Sequence, residues 1–297
     1  MIRPVSPRRP AFRVTAATAA AITALLAGCS AGAGTPGGTP SRTGAEPPSA
    51  ARLTHVLPGD PVRMVLPATG AETRWTQGLD AFGQQVAHIV SADCASERGA
   101  GLPDGPPPAF IRLSELPDLD FLARHGFSRS ADLPAPEASP TAPGTGDPAA
   151  VRHCQDEGRA AAERLRGAYA PLQGRWFREL ASLRGDPAAA RALRGLPGCL
   201  AGHGIEVGDE DGFFALADTR LNSAAPAERP RVDRELGRAY ASCMRPVEAV
   251  REPARLRMRE DFLAEHADEV RELRRTLVPA LRRAEERYGP RLSFPAP

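Results

Sequence analysis

The chain has 297 residues, with 38 basic residues against 36 acidic ones and a formal charge of +2. No lysine occurs, so every strong base is arginine, and acidic residues interleave with the arginines along the helical segments; this leaves no phosphate-tracking stripe and argues against nucleic acid as a partner. Prolines and glycines gather in three stretches, residues 30 to 51, 128 to 146 and 222 to 230, which bury too little apolar surface to offset the entropy of ordering.

In chain order, Arg3, Arg8, Arg9 and Arg13 precede an uncharged Ala-rich run from residue 14 to 27 that ends at Gly28-Cys29. That is the layout of an export signal, and the run is too short for a bilayer span, which takes roughly 20 apolar residues. Leu26-Ala27-Gly28-Cys29 resembles the lipobox of bacterial lipoproteins. The resemblance implies cleavage after residue 28 and acylation of the Cys29 thiol, palmitate being a typical chain; a plain signal peptide with an incidental cysteine is the alternative. Arg8-Arg9 also admits twin-arginine export, but Pro10-Ala11-Phe12 departs from that pattern, so general secretion is the default. Removing 28 residues leaves 269, in which residues 29 to 52 read as a disordered tether and 53 to 297 as one domain on the extracytoplasmic face of the cell membrane.

Strand signals are weak: VRMVLP at 62 to 67 is the single candidate, and its flanking prolines demote it. Beyond it, Trp75, Leu79, Phe82, Val86 and Val90 recur at helical steps, with Cys94 next on the stripe. Asp118 as cap and Gly126 as terminator bound a short helix containing Phe121 and Leu122. Asp147-Pro148 opens a longer one through Val151, Cys154, Ala161, Leu165, Tyr169, Leu172, Trp176, Leu180 and Leu183, with a bend expected at Pro171. Gly185-Asp186-Pro187 repeats the stop-and-restart signal, and a short helix from 197 to 203 carries Cys199.

Val232, Leu236, Tyr240, Cys243 and Val247 mark another face. The last helix places Leu256, Leu263, Val270, Leu273, Leu277, Leu281 and Tyr288 on one side, with a bend or break expected near Pro253 and a bend near Pro279. Its charges, among them Glu265, Glu269, Arg271 and Arg275, read as a solvated, salt-bridged face. The fold class is therefore all-α, built of helical hairpins in an irregular bundle.

Four cysteines remain after Cys29, an even count that favours disulfides in an exported chain. They permit three connectivities. CASERG at 94 to 99 and CLAGHG at 199 to 204 nearly repeat, each followed by a helical cysteine downstream. The repetition suggests two related units, about 73 to 184 and 187 to 290, and favours pairing Cys94 with Cys154 and Cys199 with Cys243. Zinc is the rival reading, since His153-Cys154 and Cys199-x3-His203 place soft ligands together, but neither has the paired-knuckle spacing of a zinc site.

The order of these features resembles a group of mostly uncharacterised actinobacterial secreted proteins and lipoproteins. The matching segments are VLPATGAETRWTQGLDAFGQQVAHIVSADCASERG, LARHGF, CLAGHGIEV and ELGRAYASCMRPVEAVREP. The likeness departs at Pro197, where a tryptophan-led approach to the third cysteine would be expected. It implies an envelope location and paired cystines, and no activity.

For chemistry, no H-E-x-x-H or S-x-x-K element is present. The acidic turn Gly208-Asp209-Glu210-Asp211-Gly212 lacks the further oxygens of a calcium loop and reads as a helix start. His88, His125 and His266 read as packing residues. No metal or cofactor is expected. The function expected is a non-catalytic binding or accessory module of the cell envelope, moored through Cys29 and contacting an envelope protein or the cell wall. A cell-wall hydrolase with scattered carboxylates and a small-ligand or metal carrier are the alternatives. A deep cleft gathering Glu, Asp and Tyr would favour the hydrolase.

Overall fold

The computed structural model describes residues 52–102, 116–127 and 147–296, all within the compact unit Glu46–Pro297. The expected leader, Cys29, the tether up to residue 51 and the loop from 128 to 146 lie outside the described residues. Within them the fold is all-α, with a single two-stranded ribbon. Strand β1 (Leu53–Thr54) runs antiparallel to β2 (Phe294–Pro295), with Thr54 opposite Phe294. The two ends of the domain are therefore tied side by side.

The weak strand candidate at 62 to 67 is instead a helical turn, α1 (Val62–Val65), closed by the Leu66 N–H on the Val62 carbonyl at 2.8 Å. Its residues do not alternate in exposure. Val62, Met64, Val65 and Leu66 are all buried, which a half-exposed strand cannot achieve. Helix α2 (Gly70–Glu97) starts one turn before its apolar stripe because Thr69 and Glu72 form a capping box. Asp118 caps α3 (Leu119–His125) through the Phe121 N–H, and Gly126 ends it at φ 81°.

Asp147 caps α4 (Pro148–Arg166). The long helix expected to bend at Pro171 is in fact two: α4 ends at Gly167, and Pro171 sits in the first turn of α5 (Ala170–Ser182), where a missing N–H costs nothing. Asp186 then accepts the Ala188 and Ala189 N–H groups, both at 2.8 Å, to start α6 (Pro187–Leu193). Next come α7 (Leu196–Ala201), α8 (Glu210–Ser223), α9 (Arg229–Glu265) and α10 (Ala267–Tyr288). The break expected near Pro253 is absent: α9 runs 37 residues through both Pro246 and Pro253 and stops only at His266.

Two apolar clusters share α9. One gathers α1, α2, α5, α10 and Phe262 around Trp176, whose ring meets Phe262 edge-on at 5.4 Å. The other gathers α7, α8 and the first half of α9, with Phe127, Phe213, Phe214 and Tyr240 in ring contact. The clusters do not follow the boundary near residue 185. Leu119, Leu122 and Phe127 from the first half pack into the second cluster, and α10 packs into the first.

Both cystines pair as the near-repetition favoured: Cys94 with Cys154 (Cα separation 5.4 Å) and Cys199 with Cys243 (5.6 Å). The repetition has a physical content. In each motif the glycine has positive φ, 64° at Gly99 and 71° at Gly204, and the same pair of hydrogen bonds closes the helix end. Ala100 N–H donates to Ala95 and Gly99 to Ser96; Ile205 donates to Leu200 and Gly204 to Ala201. Each is a Schellman end whose following residue, Ala100 or Ile205, is buried.

Cys94–Cys154 joins antiparallel α2 and α4, which approach closely at Gly158: a Cβ there would lie 2.1 Å from Ser91 Oγ and 2.2 Å from the Ala87 carbonyl oxygen. The bridge closes 60 residues, so the chain-entropy model assigns it about 4 kcal/mol. The double variant Cys94→Ser/Cys154→Ser should show a urea midpoint lowered in proportion. An unshifted midpoint would mean that helix packing alone holds this hairpin.

Candidate functional site

The segment from Met64 to Thr69 runs buried between helices, and its carbonyls are collected by side chains from three of them. Thr76 Oγ1 donates to Met64 O (2.8 Å), Arg259 to Leu66 O (3.3 Å), Trp176 Nε1 to Pro67 O (2.8 Å) and Arg255 Nε to Ala68 O (2.9 Å). The Glu72 carboxylate accepts the Ala68 and Thr69 N–H groups and also pairs with Arg259. Arg255, 1% exposed, presents its other nitrogens to both oxygens of Glu248, one turn of α9 below Arg251.

Above this buried pair opens a cleft of about 650 Å³. Leu180, Leu183, Ala190, Leu193 and Pro197 form an apolar wall, with the exposed Arg184 and Arg194 among them; Asp209, Glu210 and Asp211 form an acidic wall; the buried Arg251 and Arg255 are at its floor. The acidic turn reaches this place by capping. Asp209 Oδ1 accepts the Gly212 N–H at 2.7 Å, as expected of a helix start, which turns Glu210 inward onto the Tyr240 hydroxyl (2.5 Å). Burial pushes the Glu210 carboxyl above its ordinary value, with Glu248 and Asp211 acting in the same direction and Tyr240 and Arg251 opposing them. Tyr240 is also raised, by burial first and by Glu210 second.

Arg251 is 8% exposed, and its guanidinium lies 3.9 Å from Glu210 and 3.9 Å from Glu248. Both distances exceed a hydrogen bond. A second groove of about 550 Å³ lies beside α9, but its charged residues, Arg220, Glu235 and Arg238, are all exposed.

The other singled-out residues fall elsewhere. Ligand atoms of Cys199, His203 and Cys243 lie within 4.8 Å of one another, as do those of Cys94, His153 and Glu157. The sulfurs are bound into cystines, however, and zinc takes thiolates. His125 packs on the Phe121 ring, where burial lowers its pKa, and His266 stands edge-on to Phe262 at the turn between α9 and α10. Glu269, Arg271 and Arg275 make surface pairs with Arg175, Asp268 and Glu272. A G-x-S-x-G string, Gly28-Cys29-Ser30-Ala31-Gly32, overlaps the expected lipobox and lies outside the described residues. Among the described residues no helix is long and apolar enough to cross a membrane.

Comparison of the chain with protein-family models, curated proteins and solved structures finds no match. The site therefore stands on its own geometry. Glu248, Arg251 and Arg255 were not singled out from sequence, although a signal existed. Arg251 and Arg255 continue the helical spacing of Leu236, Tyr240, Cys243 and Val247 toward Phe262, with Glu248 next to Val247, so charges occupy positions that face the interior.

Two outcomes follow. Removing one partner of the buried pair, as in Arg255→Met, should cost about 3–5 kcal/mol in chemical denaturation, whereas Arg255→Met/Glu248→Leu should recover much of that loss. Additive losses would show the two side chains to be uncoupled. The raised Glu210 carboxyl binds its proton more tightly in the folded state. Its contribution is full below the ordinary carboxylate range and is lost as pH rises through the raised folded value. The wild type should therefore lose stability relative to Glu210→Gln over that rise, and parallel pH profiles would refute the shift.

Proposed function

We propose that the protein is an extracytoplasmic lipoprotein, moored to the cell membrane through acylated Cys29, whose helical domain is a non-catalytic binding module of the cell envelope. The observation that carries the reading is the pair of cystines, each bridging two helices beside a Schellman end; such staples persist in oxidising compartments outside the cytoplasm. The Arg-rich leader, the lipobox and the resemblance to actinobacterial secreted proteins point the same way.

The cleft is the specific observation that favours the second reading, a hydrolase of an extracytoplasmic polymer, because it gathers Glu210, Asp209 and Asp211 above Tyr240. Its weakness is the partner carboxylate. Glu248 lies under two arginines and does not line the cleft, so among the described residues Glu210 has no second acidic group poised across it.

Cells fed a radiolabelled fatty acid should yield a labelled, membrane-fractionated protein, with the label lost in Cys29→Ala. An unlabelled wild type, or one recovered from the cytosol with reduced cysteines, removes the leading reading. Glu210-dependent release of fragments from isolated cell walls would install the second in its place.

A further inference from the structure

We infer that the cleft takes a zwitterionic ligand of short-peptide size, its carboxylate on Arg251, its ammonium group at Asp211 and Asp209, and an apolar side chain against Leu183 and Leu193. The inference deepens the binding-module reading and rests on it.

The floor supplies the first requirement. A guanidinium carries five N–H donors, and burial without acceptors is costly. Arg251 is more than nine-tenths buried, yet its nearest carboxylate oxygens, on Glu210 and Glu248, stand 3.9 Å away. Its neighbour Arg255 differs, being satisfied by Glu248 and by the Ala68 carbonyl. Arg251 thus lines the cleft as a charge held in place by its surroundings but not hydrogen-bonded by them. A ligand carboxylate, with two oxygens matched to the fork, is the group that completes it.

The walls decide the remainder. The lining carries both signs, Arg184, Arg194, Arg251 and Arg255 against Asp209, Glu210 and Asp211, so a simple anion meets three acids there and a simple cation meets four arginines. A neutral apolar molecule would leave Arg251 without an acceptor. A zwitterion meets both signs at once. Asp209 spends one oxygen on the Gly212 N–H, and both Asp209 and Asp211 are exposed, so acceptor positions remain for an ammonium group. Leu180, Leu183, Ala190, Leu193 and Pro197 supply apolar surface to a side chain, with Arg184 and Arg194 beside them in the lining. The volume of about 650 Å³ lies within the range of roughly 300–1,000 Å³ usual for small-molecule sites.

The test is isothermal titration of the full-length chain in detergent with the tripeptide Ala-Leu-Ala, its N-acetyl form and its C-terminal amide. The free tripeptide should bind, and blocking either end should weaken binding about tenfold or more. Arg251→Gln should lose affinity for the free tripeptide and also lose the preference for acid over amide. Asp211→Asn should lose the preference for free over acetylated amine, and Leu193→Asp should abolish binding. Should Arg251→Gln fail to fold by circular dichroism, the two variants on exposed or half-buried positions decide. No binding of the free tripeptide, or equal binding of its blocked forms, overturns the inference. A chain acylated at Cys29 but silent toward the tripeptide loses this inference alone; a chain that binds but is never acylated loses the membrane reading alone.

Discussion

The fold hangs on the hydrogen bonding of one short buried segment. From Met64 to Ala68 the chain is fully enclosed, yet α1 ends at Val65, so the carbonyls that follow have no helical partner. Leaving such groups unpaired would cost on the order of 1–3 kcal/mol each. The donors come instead from Thr76 of α2, Trp176 of α5, and Arg255 and Arg259 of α9. Pro67 helps by contributing a carbonyl without an N–H of its own. Three helices that are far apart in sequence thereby acquire one fixed meeting point, and the arginine stems pack along it while their heads find acceptors.

That meeting point explains why α9 can be so long. A proline inside a helix removes one hydrogen bond and crowds the carbonyl four residues back, at about 3 kcal/mol, and α9 contains two. It stays helical because both flanks of each proline are anchored. Cys243 and Val247 are held in the second cluster around Pro246; Arg255, Arg259 and Phe262 are held beyond Pro253. The chain turns only at His266, past the last of these anchors. Tertiary packing has overridden local propensity, so proline was a poor guide to where this helix ends.

What could be read from the sequence follows the same logic. Signals that act within a few residues were legible: Asp118, Asp147 and Asp186 as caps, Gly126 as a stop, and CASERG with CLAGHG as a repeated local geometry that also favoured the right cystines. Signals that act across the chain were not. Arg255 and Ala68 are 187 residues apart, and nothing local to either announces the other. Periodicity reading counts apolar residues, so a stripe that passes from Val247 to Arg251 and Arg255 looks as though it turns to solvent, when in fact it continues inward with its charges paired. The same blindness hid the cleft: Glu210 looked like one more acid at a helix start, and only folding places Tyr240 and Arg251 beside it.

The cleft and the cystines are not independent features. Cys199–Cys243 pins α7 to α9, and the Schellman end after α7 directs the chain through Ile205, which is buried in the second cluster, toward Asp209. The acidic wall is therefore positioned by the bridge, while the floor is positioned by the buried Arg255–Glu248 pair on the same helix. One rigid element, α9, carries the bridge at Cys243, the pair at Glu248 and Arg255, and between them Arg251. A covalent staple on one side and a desolvated ion pair on the other hold that guanidinium at a distance from its neighbours that neither a flexible loop nor a solvated helix face would maintain, which is the preorganisation that recognition by few groups requires.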